Sequence, residues 1–429
     1  MDITVISLTI LGLLVLFLGS TIWVGLSLLL VAVFSFIFFT DTPPLNVLTN
    51  ILWNQANSPT MVALPLFIFM GEILFRSNIS QNLFKGLTPW LAFLPGRLIH
   101  VNIVASSLFA AVSGSSAATT ATVGKVTMPE LLKRNYNRSL SIGSLAGAGT
   151  LGFLIPPSML MIVYGISANV SIGALFIAGI LPGILLAIGF STYILIRCLI
   201  NPNLAPKAEN YTWSDRIKAL PLLLPVMFLM SMVLGSIYAG WATPTEAAAV
   251  GVFGSILIAV LSKSLSKKAF IQAVLGSIKT NAMIMLIVIA AAYMSVVVGY
   301  LGLPGKLTAF IGTLGLSKYE LIILLVIMYV LLGCILDGFS IILLTLPLAL
   351  PLITVAGFDP LWFGIFLILM IEVAQITPPV GFNLFVLNGL TGDSVAKIAK
   401  YSFPSFCIIL LLTVLITIFP SIVTWVPNL

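Results

Sequence analysis

The chain has 429 residues, of which 60% are hydrophobic and 7% charged, and it carries a net charge of +7. A soluble domain has about a quarter charged residues, so this chain lacks the polar shell that would keep a large core dispersed, and lipid must cover most of its surface. The basic residues sit in short loops between apolar stretches, which excludes nucleic acid as a partner and points to membrane orientation.

Residues 3–40 are apolar apart from a break at Gly19-Ser20, room for two short spans with a tight turn. The chain starts without a positive region and its first basic residue is Arg76, so this end reads as a retained span rather than a cleaved leader. Residues 41–60 are polar and turn-rich, and an apolar run follows to Leu74. Residues 76–97 interleave Arg76, Lys85 and Arg97 with Leu83, Phe84, Trp90 and Phe93, the pattern of an interfacial stretch. Residues 98–132 form an apolar run interrupted at Ser113–Thr120. Residues 139–167 hold Gly147–Gly152 and then Pro156-Pro157, which no uninterrupted helix accommodates because the prolines lack backbone donors and clash with the preceding turn. A span at 172–196, a hydrophilic stretch at 197–218 and spans at 220–239 and 245–262 complete the first part.

A shift of 222 residues lays the second part on the first. Pro156-Pro157 falls on Pro378-Pro379, Pro129 on Pro351, and Ser115-Ser116 on Asp337-Gly338. Loop charges then alternate between mates. Residues 41–60 have no Lys or Arg while 263–282 have four lysines; 133–139 have three basic residues while 355–361 have none; 197–218 have four while 419–429 have none. Positive loops stay cytoplasmic, so mated loops lie on opposite faces, as in inverted-topology secondary transporters. The expected fold is an all-α polytopic membrane protein with two re-entrant helical hairpins and two broken helices. N-terminal scaffold spans (1–60) precede a first repeat (61–197) with hairpin 98–132 and broken helix 139–167. A linker with scaffold spans (198–282) leads to a second repeat (283–429) with hairpin 320–354 and broken helix 362–390. The N-terminus is expected on the outer side.

Two hairpin tips and two Pro-Pro breaks then meet at the midplane. Free carbonyls with small hydroxyl side chains suit Na⁺, and free helix N-termini suit carboxylates. The ion-site candidates are Ser113, Gly114, Ser115 and Ser116 with Gly149, Gly152 and Pro156 in the first repeat. In the second they are Gly333, Asp337 and Gly338 with Gln375, Thr377 and Pro378. Ser116, Thr119, Ser158, Ser340 and Asn383 are candidates for holding a solute. Each has a plainer reading: Ser113–Ala118 as a small-residue helix contact, Asp337 as an acceptor of backbone N–H groups, and Asn383 and Asn388 as bridges between helices. Glu372 reads equally as a structural partner and as an ion ligand. Lys125 reads as a snorkelling residue, and the three cysteines as packing residues. One histidine and no phosphate loop leave no basis for a His-metal site, a catalytic triad or ATP hydrolysis.

Ser113–Thr120, Met128-Pro-Glu-Leu-Leu132 and Gly147–Ser158 closely resemble the large membrane subunit of tripartite ATP-independent periplasmic (TRAP) transporters, with Asp337-Gly338 and Ile376–Gly381 as second-half counterparts. The resemblance covers nearly the whole chain. It implies an elevator mechanism driven by two or more Na⁺ ions and an organic-acid substrate of the C4-dicarboxylate or sialic acid kind. It further implies a periplasmic substrate-binding protein, a small four-helix membrane subunit encoded separately, and residence in a bacterial inner membrane. The competing classes are a carboxylate transporter without a binding protein and a channel, since re-entrant hairpins also line pores. An intramembrane enzyme is disfavoured by the absence of an HExxH, Ser-His-Asp or paired-aspartate set.

Overall fold

The computed structural model describes residues 3–206 and 211–428. These form twenty α-helices and no strand among the described residues. In chain order they are α1 (Ile3–Gly19), α2 (Val24–Phe39), α3 (Pro44–Ala56), α4 (Ala63–Phe75), α5 (Ile79–Leu91), α6 (Ile99–Ser113), α7 (Ser116–Lys133), α8 (Arg138–Thr150), α9 (Met159–Ala168) and α10 (Ile172–Ile200). The second half adds α11 (Trp213–Tyr238), α12 (Pro244–Leu261), α13 (Lys267–Tyr300), α14 (Leu303–Thr313), α15 (Lys318–Gly333), α16 (Gly338–Val355), α17 (Pro360–Gln375), α18 (Phe382–Thr391), α19 (Val395–Ile418) and α20 (Ser421–Thr424).

Six described helices are each long and apolar enough to cross a membrane, and α3 with α4 make a seventh candidate bent by 60°. Their outward faces are apolar too: Leu224, Phe228, Phe253 and Leu257 are all exposed on α11 and α12. Helices with apolar residues on every side need lipid on one of them. The protein is a multi-pass, all-helical membrane protein.

Helix ends follow local chemistry. Pro44, Pro244 and Pro360 open α3, α12 and α17, where a missing N–H is harmless. Thr243/Glu246 and Ser317/Glu320 form capping boxes on α12 and α15. Two expectations change. The turn-rich stretch 41–60 is largely helix, because Pro44 starts α3 and Leu45, Val47, Leu48 and Ile51 supply its apolar positions. The lysine-bearing stretch 263–282 is mostly the first half of the continuous α13; only Lys263 of its four lysines stands in a turn.

The spacing of 222 recurs in helix boundaries. Helices α7 and α16 both begin and end 222 apart (Ser116 and Gly338, Lys133 and Val355), as do the starts of α8 and α17 (Arg138 and Pro360). The register reaches upstream to the ends of α2 and α12, Phe39 and Leu261. Both proline pairs, Pro156-Pro157 and Pro378-Pro379, have cis peptide bonds. At the centre lie α8 and α17: every residue of Leu140–Thr150 and of Trp362–Gln375 is buried. Helices α6, α7 and α19 pack around α8; α15, α16 and α19 pack around α17; α2, α4, α11, α12 and α13 form the other face.

Candidate ion and solute site

At the first tip α6 ends on Gly114, which adopts the left-handed conformation (φ 59°, ψ 15°) that favours glycine. Extended Ser115 then caps α7, its Oγ accepting from the Ala118 N–H. Ser113 Oγ lies 2.9 Å from Thr119 Oγ1, and Thr119 Oγ1 donates to the Ser115 carbonyl at 2.8 Å. Opposite stands the first break. Gly152 leaves no room for a side chain, since a Cβ there would sit 2.5 Å from the Ser115 carbonyl oxygen. The Met159 N–H donates to the Gly114 carbonyl at 3.3 Å, fastening the start of α9 to the tip. Gly149 packs on Thr120, whose hydroxyl donates to the Ser116 carbonyl at 3.0 Å. The tip at Gly114–Ser116 and the break around Gly149, Gly152 and Pro157 are therefore in contact.

At the second tip Asp337 caps α16. Its Oδ2 accepts from the N–H groups of Phe339 (3.0 Å) and Ser340 (3.4 Å), and its Oδ1 accepts the Ser340 hydroxyl. The plainer reading of Asp337 is thus observed, and Ser340, a solute candidate, spends its hydroxyl on that carboxylate. Gly333 packs on Ala374 and Gly338 on Ile371, so this tip rests against α17. Gln375 is buried at the end of α17 and the Thr377 hydroxyl donates to the Val373 carbonyl at 2.6 Å. Pro378 and Pro379 are exposed, whereas Pro156 and Pro157 are buried. No recorded contact joins Pro378 to the second tip.

The halves cross. Asn383, at the start of α18, donates to Ser116 Oγ at 2.8 Å, and Ser116 Oγ is 3.1 Å from Asn383 Oδ1; both residues are fully buried. Leu160, at the start of α9, packs under Gly338 of the second tip. Ser116 and Gly338 are mates under the shift of 222, so each tip is covered by the helix that follows the opposite break.

Backbone accounting shows what the breaks offer. The carbonyls of Phe153–Pro157 accept no hydrogen bond from any described residue, and neither do those of Gln375–Pro379. Such carbonyls, with hydroxyls beside them, match a hard monovalent cation that unwound helices bind. No group of three or more His, Cys, Asp or Glu side chains comes together among the described residues, so a divalent or transition-metal centre finds no ligand set. Na⁺ therefore fits the first site, where Ser113, Ser115, Thr119 and the free carbonyls would hold it. Glu372, one helical turn before Ile376, is fully buried with neither carboxylate oxygen bonded among the described residues.

Several polar contacts escaped sequence reading. Asn102 on α6 donates to the Ser141 carbonyl (3.2 Å) and Ser144 Oγ (3.0 Å) on α8; an isolated Asn in an apolar run is the only signal. Arg138 meets Asp393 at 2.8 Å, tying α8 to the loop before α19, and this bond holds the Asp393 carboxyl below the ordinary range. Ser158, Thr119 and Asn383 all make internal hydrogen bonds, Ser158 as the cap of α9. Two adjoining cavities of about 450 and 530 Å³ share Ile166 and Asn169; Gln55, Ser167 and Ser295 line the first, Ser58, Thr60 and Ser171 the second.

Residues 10–422 match the family described as Tripartite ATP-independent periplasmic transporter, DctM component. The chain belongs to this family. It is a permease component of a TRAP transporter, not an enzyme. It is 30% identical to the C4-dicarboxylate TRAP transporter large permease protein DctM of Pseudomonas aeruginosa, over 88% of each chain. It is 29% identical to the sialic acid TRAP transporter large permease protein SiaM of Vibrio cholerae, over 95% of each. It is also 29% identical to the isethionate TRAP transporter permease protein DctMQ of Oleidesulfovibrio alaskensis, over 94% of this chain and 63% of that one. The solved structure of the Alcanivorax borkumensis YdaH transporter shares the fold (TM-score 0.58, 16% identity, 87% of this chain and 88% of that one).

Proposed function

We propose that this TRAP permease couples Na⁺ entry to import of an organic acid by an elevator movement. The single observation that carries the reading is the pair of unpaired carbonyl runs, the first abutting its hairpin tip at Gly152 and Ser115, in a molecule where each tip is covered by the helix that follows the opposite break. In this reading α6–α7 and α15–α16 are re-entrant hairpins of oppositely oriented repeats. With α8–α9 and α17–α18 they form the moving body, and α2, α4 and α11–α13 form the support. Na⁺ sits at Ser113–Ser116 with Gly149–Pro156, and a second ion at Gly333–Gly338 with Gln375–Pro378. Ser116, Thr119, Ser158, Ser340 and Asn383 exchange their internal bonds for the solute's carboxylate.

The charge logic is direct. A bare carboxylate is expensive in the membrane interior, and two or more Na⁺ ions neutralise it while the membrane potential favours their entry. The C4-dicarboxylate, sialic acid and isethionate relatives support an anionic solute. A permease and small subunit joined as DctMQ support a four-helix partner for this chain, and the tripartite family description supports a periplasmic binding protein. The cavities beside Asn169 lie at the helix ends that the loop charges place outside, where that protein would deliver its cargo.

The test is uptake into proteoliposomes holding the full transporter, supplied with loaded binding protein, with and without an inward Na⁺ gradient. Saturable uptake that needs Na⁺ is expected. Equal uptake in its absence rejects the coupling, and uptake without the binding protein rejects the tripartite delivery.

A further inference from the structure

A further cavity adjoins the first break on the side away from the hairpin crossing at Ser116 and Asn383. It is a groove of about 660 Å³ between α6, α10 and α11. Its lining on α10 runs from Ile180 to Leu195, a rise of about 22 Å over fifteen residues. That exceeds the ~15 Å of hydrocarbon in one leaflet, half of a ~30 Å core. A long groove with an apolar lining suits an extended hydrocarbon chain rather than a polar solute. The walls are apolar, with Gly183, Ala187 and Ser191 spaced every four residues as a low floor. The groove flanks the first break, since Ile155 and Pro156 line it.

One end is different. His100 and Leu94 line the groove there, and His100 Nε2 donates to the Pro95 carbonyl at 2.8 Å, fixing the loop between α5 and α6. On that loop and its neighbours, Arg97 Nη1, Arg216 Nε and Trp90 Nε1 are buried N–H groups without a hydrogen-bond partner among the described residues. Arg216 and Trp90 belong to one cluster: Arg216 stacks over Trp213 (4.9 Å) and Phe93 (5.8 Å), and Trp213 meets Trp90 edge-on (6.2 Å), while Arg97 stands on the same loop as Phe93. All three groups donate and cannot accept. Two guanidinium groups and an indole, gathered around the loop that carries Leu94 at this end of the apolar groove, match a phosphodiester with a hydrocarbon tail.

We propose that this groove is a phospholipid site, with the phosphate on Arg97 and Arg216 and one acyl chain along α10 against Ile155 and Pro156. The lipid fills the seam between α6 and α11 and bears on the wall of the first break. The assignment rests on this groove alone and stands whether or not the permease is Na⁺-coupled.

The full transporter is reconstituted with phosphatidylglycerol carrying a photoreactive group midway along one chain, irradiated and mapped by mass spectrometry. Cross-links concentrated on 180–195 and 100–108 are expected; labels spread evenly over lipid-facing helices overturn the site. In detergent, phosphatidylglycerol titrated into delipidated protein should raise Tm. The pair Arg97→Gln with Arg216→Gln should weaken that response at least tenfold, and Ala187→Phe should abolish it. An undiminished response in both variants overturns the assignment, as does a full Tm gain from inorganic phosphate alone. If Ala187→Phe fails to fold, the wild-type cross-linking map still decides.

Discussion

Gly152→Ala is the sharpest probe of the first ion site. An added Cβ would lie 2.5 Å from the Ser115 carbonyl oxygen, 2.6 Å from its carbon and 2.7 Å from the Ser116 nitrogen, where ordinary contact begins at 3.4 Å. All three neighbours are backbone atoms, so no rotamer change relieves the clash, and tip and break must part by roughly 0.9 Å. Overpacking of this kind costs about 1–3 kcal/mol. If the strain falls on the closed, ion-bound arrangement, Na⁺ affinity drops roughly 5- to 150-fold. The assay is the Na⁺ dependence of uptake in proteoliposomes, with Tm recorded on the same protein. Gly389→Ala is the control: nothing lies within 4 Å of its Cβ position, and alanine favours helix α18. A folded Gly152→Ala protein with the wild-type Na⁺ half-saturation would refute the assignment.

Ser116→Ala and Asn383→Ala should each destabilise by about 1–3 kcal/mol, because each strands a fully buried partner. The double variant should fall short of the sum by at least ~0.5 kcal/mol; strict additivity in thermal unfolding would mean that the contact between halves contributes nothing. Asp337→Asn separates cap from charge. Asparagine caps about as well as aspartate, so stability should hold while Asp337→Ala loses ~0.5–2 kcal/mol. A raised Na⁺ requirement in the Asn variant assigns the charge to the ion, and an unchanged one leaves Asp337 a cap. The Arg138–Asp393 pair sets a pH dependence. The Arg138 hydrogen bond depresses the Asp393 carboxyl first and foremost, so its stabilisation is complete above the ordinary aspartate range near ~3.9 and is lost as pH falls through the lowered value. Arg138→Gln should flatten the fall in Tm below pH ~4; an unaltered profile counts against the pair.

Most of the architecture was legible because breaks are written locally. Proline pairs cannot sit inside an unbroken helix, and the constant spacing carried the interruption at Ser113–Ser116 onto Asp337-Gly338, so the regions where α6, α8, α15 and α17 end followed from residue type and spacing. The partners across the breaks were not legible. That Asn383 meets Ser116 rather than a solute depends on how two helices, distant in sequence, pass at the centre, and no periodicity encodes a crossing. Helix α3 was missed for a related reason: Asp41, Pro43, Pro44 and Asn57 mark turns at its two ends, and end signals only 13 residues apart read as one continuous loop. The donors Trp90 and Arg97 read as ordinary interfacial residues, and Arg216 as part of the hydrophilic stretch 197–218, until the groove beside them was visible.

The two breaks carry the same chemistry under different cover, and that difference has consequences. An unpaired buried polar group costs about 1–3 kcal/mol, so each unpaired carbonyl that the first break buries adds a cost of that order. In the proposed mechanism Na⁺ satisfies these carbonyls when that break shuts. At the second break Pro378 and Pro379 are exposed, and water meets the same demand without any ion. Under the proposed coupling, closure and cation binding are one event, because shutting a break over uncompensated carbonyls costs more than shutting it over Na⁺. Cysteines placed at Pro157 and Pro379 should accordingly change thiol accessibility with Na⁺, losing reactivity as it is added; reactivity at both positions indifferent to Na⁺ would break the link between backbone satisfaction and movement.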